Sequence, residues 1–249
     1  MSIETKRFRT WNAFKSEFTN FLPGRSEQIE QPRFADYLFR GQMDATWGLG
    51  TSFDRAVPSL VKDRAKEFER WHRFFKYLHR HLGDSLDNLN ELEIDALAQH
   101  YGAPTRLLDW SLSPYIAAFF AFFDSLRFLQ KDTREIAVWA LHIPSFRLQV
   151  GNAFQLRSAV GPKNFRIRNQ LGKFLINNSS FGSLDEYIAS TNNSLGQTLI
   201  KFVIPASQRV TALNDLLLMG ISPIDIYPDH EGVAMYVKLR QALDGYRFS

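Results

Sequence analysis

The chain predicts an α+β domain, on three observations. Apolar positions recur at helical spacing in some stretches and alternate as in strands in others. The two kinds of segment follow one another without a regular strand–helix–strand beat, so the helices do not read as crossovers of a parallel sheet. No Pro/Gly/Ser-rich linker divides the 249 residues, and 45% of them are hydrophobic, with 22 Phe, enough for one large Phe-rich core.

Phe8, Trp11, Phe14, Phe18 and Phe21 (or Leu22) fall at helical spacing and predict an amphipathic helix over residues 8–22. Residues 23–32 read as a polar loop. Tyr37–Gly41 reads as a short buried strand ended by glycine. Residues 59–82 predict a long helix, with Leu60, Phe68, Trp71, Phe74, Phe75 and Leu78 on its apolar face. Its other face is basic and carries His72, His79 and His81, whose spacing fits neither His-Glu-x-x-His nor a zinc finger. A solvated basic face is expected there, suited to nucleic acid through its interleaved aromatics, and no metal site. Residues 84–100 start acidic and lead through a helix into residues 99–113, read as a loop. Ser113 caps the next helix and Pro114 takes its first position, where the missing N–H costs nothing. Ile136–Ile143 alternates as a strand, and residues 146–182 read as short strands and loops. Leu199–Ile204 is a strand ended by Pro205, and residues 207–219 a helix stopped by Gly220. Ile221–Tyr227 is expected to be extended, and Glu231–Leu243 to be the last helix. The whole reads as one domain over residues 1–249, with a helical extension within 1–32 and a core of about 37–239.

The net charge of +4 is too small to define a partner, but its distribution is informative. Between Ile136 and Leu184 there is no Asp or Glu, while Arg147, Arg157, Lys163, Arg166, Arg168 and Lys173 all fall there. Such a stretch favours an anionic ligand or forms a solvated cationic strip. The absence of cysteine excludes disulfides and thiolate metal sites. The opening residues lack the apolar core of a signal peptide, and the longest apolar run, Ile116–Phe123, falls well short of the ~20 residues that span a bilayer. A cytoplasmic protein with no membrane partner is expected.

Four patches hold side chains that are costly to order without partners. In Phe39-Arg40-Gly41-Gln42 the Arg can set a planar guanidinium against phosphate or ribose, and the Gly lets a ligand approach the backbone. Gln99–Ala121 gathers His100, Tyr101, Thr105, Arg106, Asp109, Trp110 and Ser111 ahead of an apolar helix, a set unlike that of a plain connector. Arg166-x-Arg168-x-Gln170-x-Gly172-x-Phe174 and Pro228-Asp229-His230-Glu231-Gly232 complete the four. Purely structural roles stand beside these: Asp229 with Glu231 as a helix cap, Gln170 as a strand residue, and Thr105 and Asp109 as loop ties with Arg106 satisfying Asp109.

Taken together these residues resemble the FRG domain, a family named for its Phe/Tyr-Arg-Gly motif. The resemblance rests on Phe39–Gln42, Trp47-Gly48-Leu49, Gln99–Gly102, Pro104–Trp110 and Ser113-Pro114, with support from Arg168–Phe174 and Pro228–Gly232. It runs from about Tyr37 to Leu239. A fainter resemblance is to ADP-ribosyltransferases of the Arg-Ser-Glu type, in which an Arg lies on the first core strand and a Ser/Thr motif precedes a helix. Arg40-Gly41 matches the first element, and Ser111-x-Ser113-Pro114-x-x-Ala117-x-x-Phe120-Ala121 the second. At the third element no Glu accompanies Gln170, and Glu231 lies later.

These resemblances imply a split mixed β-sheet core of ADP-ribosyltransferase type with flanking helices, NAD as substrate and no metal. In such a site Arg40, Gly41 and Gln42 hold ribose or phosphate, and Arg106 and Arg168 add contacts to the dinucleotide. Tyr101, Trp110 or Phe174 stacks on nicotinamide. Ser111 or Thr105 orders the Arg and the ribose, Glu231 or Gln170 orients the nucleophile, and His100 is a candidate general base. The acceptor would be nucleic acid or protein. The FRG resemblance also suggests the toxin of a toxin–antitoxin or phage-defence system, neutralised by an antitoxin encoded nearby. The other readings are a nucleic-acid-binding module or metal-independent RNase using His100, Arg106 and Tyr101, and a non-catalytic binding domain.

Overall fold

The computed structural model describes residues 3–18, 36–57, 63–82, 86–126, 134–158, 171–191 and 198–245. Its strands are β1 (Ile3–Arg7), β2 (Tyr37–Gln42), β3 (Leu107–Ser111), β4 (Glu135–His142), β5 (Phe154–Arg157), β6 (Gly172–Asn177) and β7 (Leu199–Pro205). They form one mixed sheet in the order β1-β7-β4-β2-β3-β6-β5, with β1 parallel to β7 and the other neighbours antiparallel. The helices are α1 (Trp11–Glu17), α2 (Ser52–Ala56), α3 (Arg64–His79), α4 (Glu91–His100), α5 (Pro114–Ser125), α6 (Ile143–Val150), α7 (Leu184–Ser190), α8 (Arg209–Leu218), α9 (Pro223–Ile226) and α10 (His230–Leu243). The architecture is α+β, as expected. No described helix is long and apolar enough to cross a membrane.

Both faces of the central strands are covered, so β4 and β7 read as near-continuous apolar runs. Alternate side chains divide between two cores. Phe39, Ile136, Val138, Ala140, Phe202 and Ile204 pack with α1, α5, α8 and α10 in the larger one. Leu38, Ala137, Trp139 and Leu141 pack with Phe146 and Val150 of α6 and Leu184 and Ile188 of α7 in the other. α5 begins as its sequence demands, with the Ser113 hydroxyl accepting from the Ile116 N–H at 3.3 Å and Pro114 in the first turn. It then runs across β2 and β4 with Phe119 and Phe122 fully buried.

Several segments differ from expectation. The aromatic stripe of α1 is in the core, Trp11, Phe14 and Phe18 being buried, while Phe21 lies outside the described residues. Ahead of it, however, Ile3–Arg7 is a strand in the sheet and no part of a helical extension. Its sequence, IETKR, hides this because an edge strand keeps charged side chains, here paired as Lys6–Glu17 and Arg7–Glu135. Residues 99–113 are not a single loop: α4 runs to His100, a turn follows, and Leu107–Ser111 is strand. α6 lies where strands and loops were expected. Ile221–Tyr227 contains the one-turn helix α9, started by a Ser222–Asp225 capping box. Finally, no residue of α3 is fully buried, and the supposed core face of Trp71, Phe74 and Leu78 is open to solvent. Leu60 lies outside the described residues.

Candidate functional site

The sheet is nearly divided in the middle. β2 pairs with β4 over six positions and β3 with β6 over five, but β2 meets β3 only at Phe39 and Ser111. Beyond that pair the strands fork, and Arg40 bridges the gap. Its Nη1 donates to the Asp109 carbonyl at 2.7 Å and lies 3.6 Å from the Asp109 carboxylate. A cleft of about 210 Å³ opens at the fork. Arg40, Leu107, Leu108 and Asp109 line it from the strands, Ser52 and Arg55 from α2, and Gln99, Gly102 and Ala103 from the end of α4.

Burial pushes the Arg40 pKa down and nearby Arg55 adds to this, while Asp109 and Asp124 oppose them. The group remains a cation, and its Nε is buried without a hydrogen-bond partner. Asp109 is held from the other side. Gln99 Nε2 donates to both carboxylate oxygens, at 2.7 and 2.8 Å, and Gln99 Oε1 accepts from the Thr105 hydroxyl at 2.6 Å. The Thr105 N–H in turn donates to Ser52 Oγ at 2.9 Å. A chain of hydrogen bonds thus fixes a half-exposed carboxylate beside a desolvated guanidinium with one unused donor.

The structure brings only some of the expected residues here. Arg40 lines the cleft, and Thr105 is buried behind it as a positioning residue. Gly41 faces away, beneath α5, where a Cβ would stand 1.8 Å from the Ala117 carbonyl oxygen. Its role is close packing and not ligand approach. Gln42 is buried with its amide spent: Nε2 donates to the Gly48 carbonyl at 2.9 Å, and Oε1 accepts from Trp139 Nε1 at 2.7 Å. Arg106 turns to α3, its guanidinium 5.4 Å from the Phe53 ring and 5.3 Å from that of Phe68. Trp110 and Phe174 are buried in strands, so neither can stack on a ligand. Tyr101 stays exposed at the end of α4, its ring against His100; neither lines the cleft. Ser111 is buried, and its hydroxyl accepts from the Ser113 N–H at 3.0 Å, shaping the bend before α5. Glu231 follows Asp229, the N-cap of α10, and does not line the cleft; Asp229 accepts from the Glu231 and Gly232 N–H groups. Gly232 lets α10 approach α9, a Cβ there meeting the Tyr227 carbonyl oxygen at 1.8 Å. Arg168 and Gln170 lie outside the described residues.

Of the residues lining the cleft, the sequence marked Arg40 as a site residue and set Asp109 among the polar residues of the motif-rich stretch, with a loop tie as its structural alternative, while Gln99 opened that stretch without a role. Arg55 sits on α2, whose only sequence signal is the Thr51–Asp54 capping box. The histidines expected on one helix diverge: His72 of α3 contacts Glu91 and Asp95, each at 2.7 Å, and His81, in the turn after α3, faces Tyr77.

No curated protein and no solved structure matches the chain. Residues 35–129, which run through β2, β3 and α5 and include every residue lining the cleft, match the model of the FRG domain family.

Proposed function

We propose that the cleft at the fork binds the phosphate-bearing part of NAD and that the chain is an NAD-dependent ADP-ribosyltransferase. One observation carries this reading: a desolvated guanidinium with an unused donor lies beside a held carboxylate. Arg40 and Arg55 suit a pyrophosphate. Cleavage of the nicotinamide–ribose bond passes through a cationic ribosyl species, which a fixed carboxylate stabilises without reorganising. Asp109 fills that role, and the acceptor nucleophile takes the ribosyl carbon as nicotinamide leaves and a proton is released. The cleft volume, about 210 Å³, is below the ~300–1,000 Å³ of whole small-molecule sites, so it takes one end of the dinucleotide.

The test incubates purified protein with NAD labelled in the ADP-ribose part and, separately, with protein and nucleic acid acceptors. Transfer with release of nicotinamide is expected, falling by about 10²–10³-fold in Arg40→Gln and Asp109→Asn. No transfer and no nicotinamide overturns the reading, and RNA cleavage without NAD replaces it by the nuclease. The toxin role draws on the family resemblance; toxicity on expression, relieved by a neighbouring gene, tests it.

A further inference from the structure

α3 is an aromatic and cationic helix whose outer face is left open among the described residues. Trp71, Phe74 and Tyr77 are 42%, 50% and 57% exposed, and Leu78 continues the patch. At ~3.6 residues per turn these four share one half of the helix with Arg70 and Arg73, and Arg80 follows at its end. Phe68, His72, Phe75 and His79 occupy the other half, which holds the helix down. The Phe68 ring packs edge-on against Phe53 of α2 at 5.3 Å, and Lys76 reaches Glu91 of α4 at 2.6 Å, beside the His72 contacts. On the outer half the Arg70 guanidinium lies 5.2 Å from the Trp71 ring and 3.0 Å from Glu67. Arg73 makes no ion pair among the described residues, and Glu69 stands at the border of the face.

We propose that this outer face binds a single-stranded polynucleotide. Charge complementarity selects the occupant. A face for a second copy or another protein would lose charged residues at its centre. Here arginines alternate with rings, the combination that pairs phosphates with stacked bases. A duplex hides its bases and offers nothing to the rings. The proposal names the acceptor of the transferase: α3 is fastened to α2 and α4, the two helices that border the cleft. That acceptor role rests on the transferase reading, whereas the binding does not.

Fluorescence anisotropy of a labelled single strand of about 12 nucleotides, as DNA and as RNA, against a duplex of equal length tests the binding without NAD. Single strands are expected to bind more tightly than the duplex. Trp71→Ala and Phe74→Ala should each weaken them by about 5- to 150-fold, the span of one lost base stack. Arg73→Gln should flatten the dependence of log K on log salt by about 0.7. All three side chains are exposed, and unchanged circular dichroism melts certify the variants. Equal binding of duplex, no binding at low salt, or ring variants that bind like the wild type each overturn the inference. So does a Trp71→Ala protein that loses self-association while keeping its affinity for the strand. Strand binding with no NAD chemistry sinks the transferase reading alone; NAD-dependent transfer to protein with no strand binding sinks this inference alone.

Discussion

Gly41→Ala separates two accounts of the Arg-Gly pair. A Cβ at Gly41 would stand 1.8 Å from the Ala117 carbonyl oxygen, 2.8 Å from its carbon and 2.9 Å from the Ala121 nitrogen. All three atoms are backbone of α5, so no rotamer change relieves the clash. Restoring the first contact to 3.4 Å lifts α5 from β2 by about 1.6 Å at that point. The same helix seats Phe119 and Phe122, both fully buried, so the shift loosens the larger core. Overpacking at the upper end of the usual range costs about 3 kcal/mol. For a chain of this size that lowers the Tm by about 6–12 °C. Circular dichroism melts of wild type and variant measure it, with NAD turnover followed at a temperature where both are folded. If the glycine instead admits a ligand, the variant keeps its stability and loses turnover. A Tm within about 2 °C of wild type together with abolished turnover would refute the packing account.

Three further perturbations probe the scaffold around the fork. Thr105→Val removes the donor that fixes Gln99 and should cost about 1 kcal/mol of stability, with a larger loss in kcat than in KM for NAD; unchanged kcat shows that Asp109 needs no such support. Arg64→Ala leaves Asp54 buried without its cation, though Thr51 and Asn177 still donate to it, and should cost about 3–5 kcal/mol in urea unfolding; a loss below about 1 kcal/mol contradicts the pair's buried character. His72 has its pKa raised, chiefly by its hydrogen bond to Asp95, against the opposing effect of burial. A raised folded-state pKa gives stability that is fully present below the unfolded value near 6.5 and is lost as pH rises through the folded value. The Tm difference between wild type and His72→Gln should therefore shrink from pH ~6 to pH ~9, and a difference that grows with pH reverses the assignment.

What the sequence made legible follows from which physical signal each element carries. β2, β4, β7, α5 and α10 declare themselves through apolar alternation or a cap, because burial on the sheet enforces both. β1 carries charge at a sheet edge, and α2 and α9 are single turns in which a capping box is the only local mark, so hydrophobic periodicity misses all three. α3 misleads in the opposite direction: of its helix-spaced apolar stripe, Phe68 packs inward beside His72 and Lys76, while Trp71, Phe74 and Leu78 face solvent.

At the site the sequence marks a dense polar neighbourhood but not which of its residues are spent within the fold. Polar side chains are costly to order without partners, and the motif residues do meet partners. Most meet one another: Gln42 with Trp139, Thr105 with Gln99, and Ser111 with the Ser113 amide. A sequence cannot separate a polar group satisfied within the fold from one kept open for a ligand, because both occur in the same dense motif. The hydrogen-bond tally separates them. Gln42 has both ends of its amide engaged, whereas Arg40 keeps a buried donor in hand, and an arginine has no acceptor to offer in return. A ligand that enters the fork meets the Arg40 cation in its wall, which suits a phosphate oxygen better than a neutral apolar group.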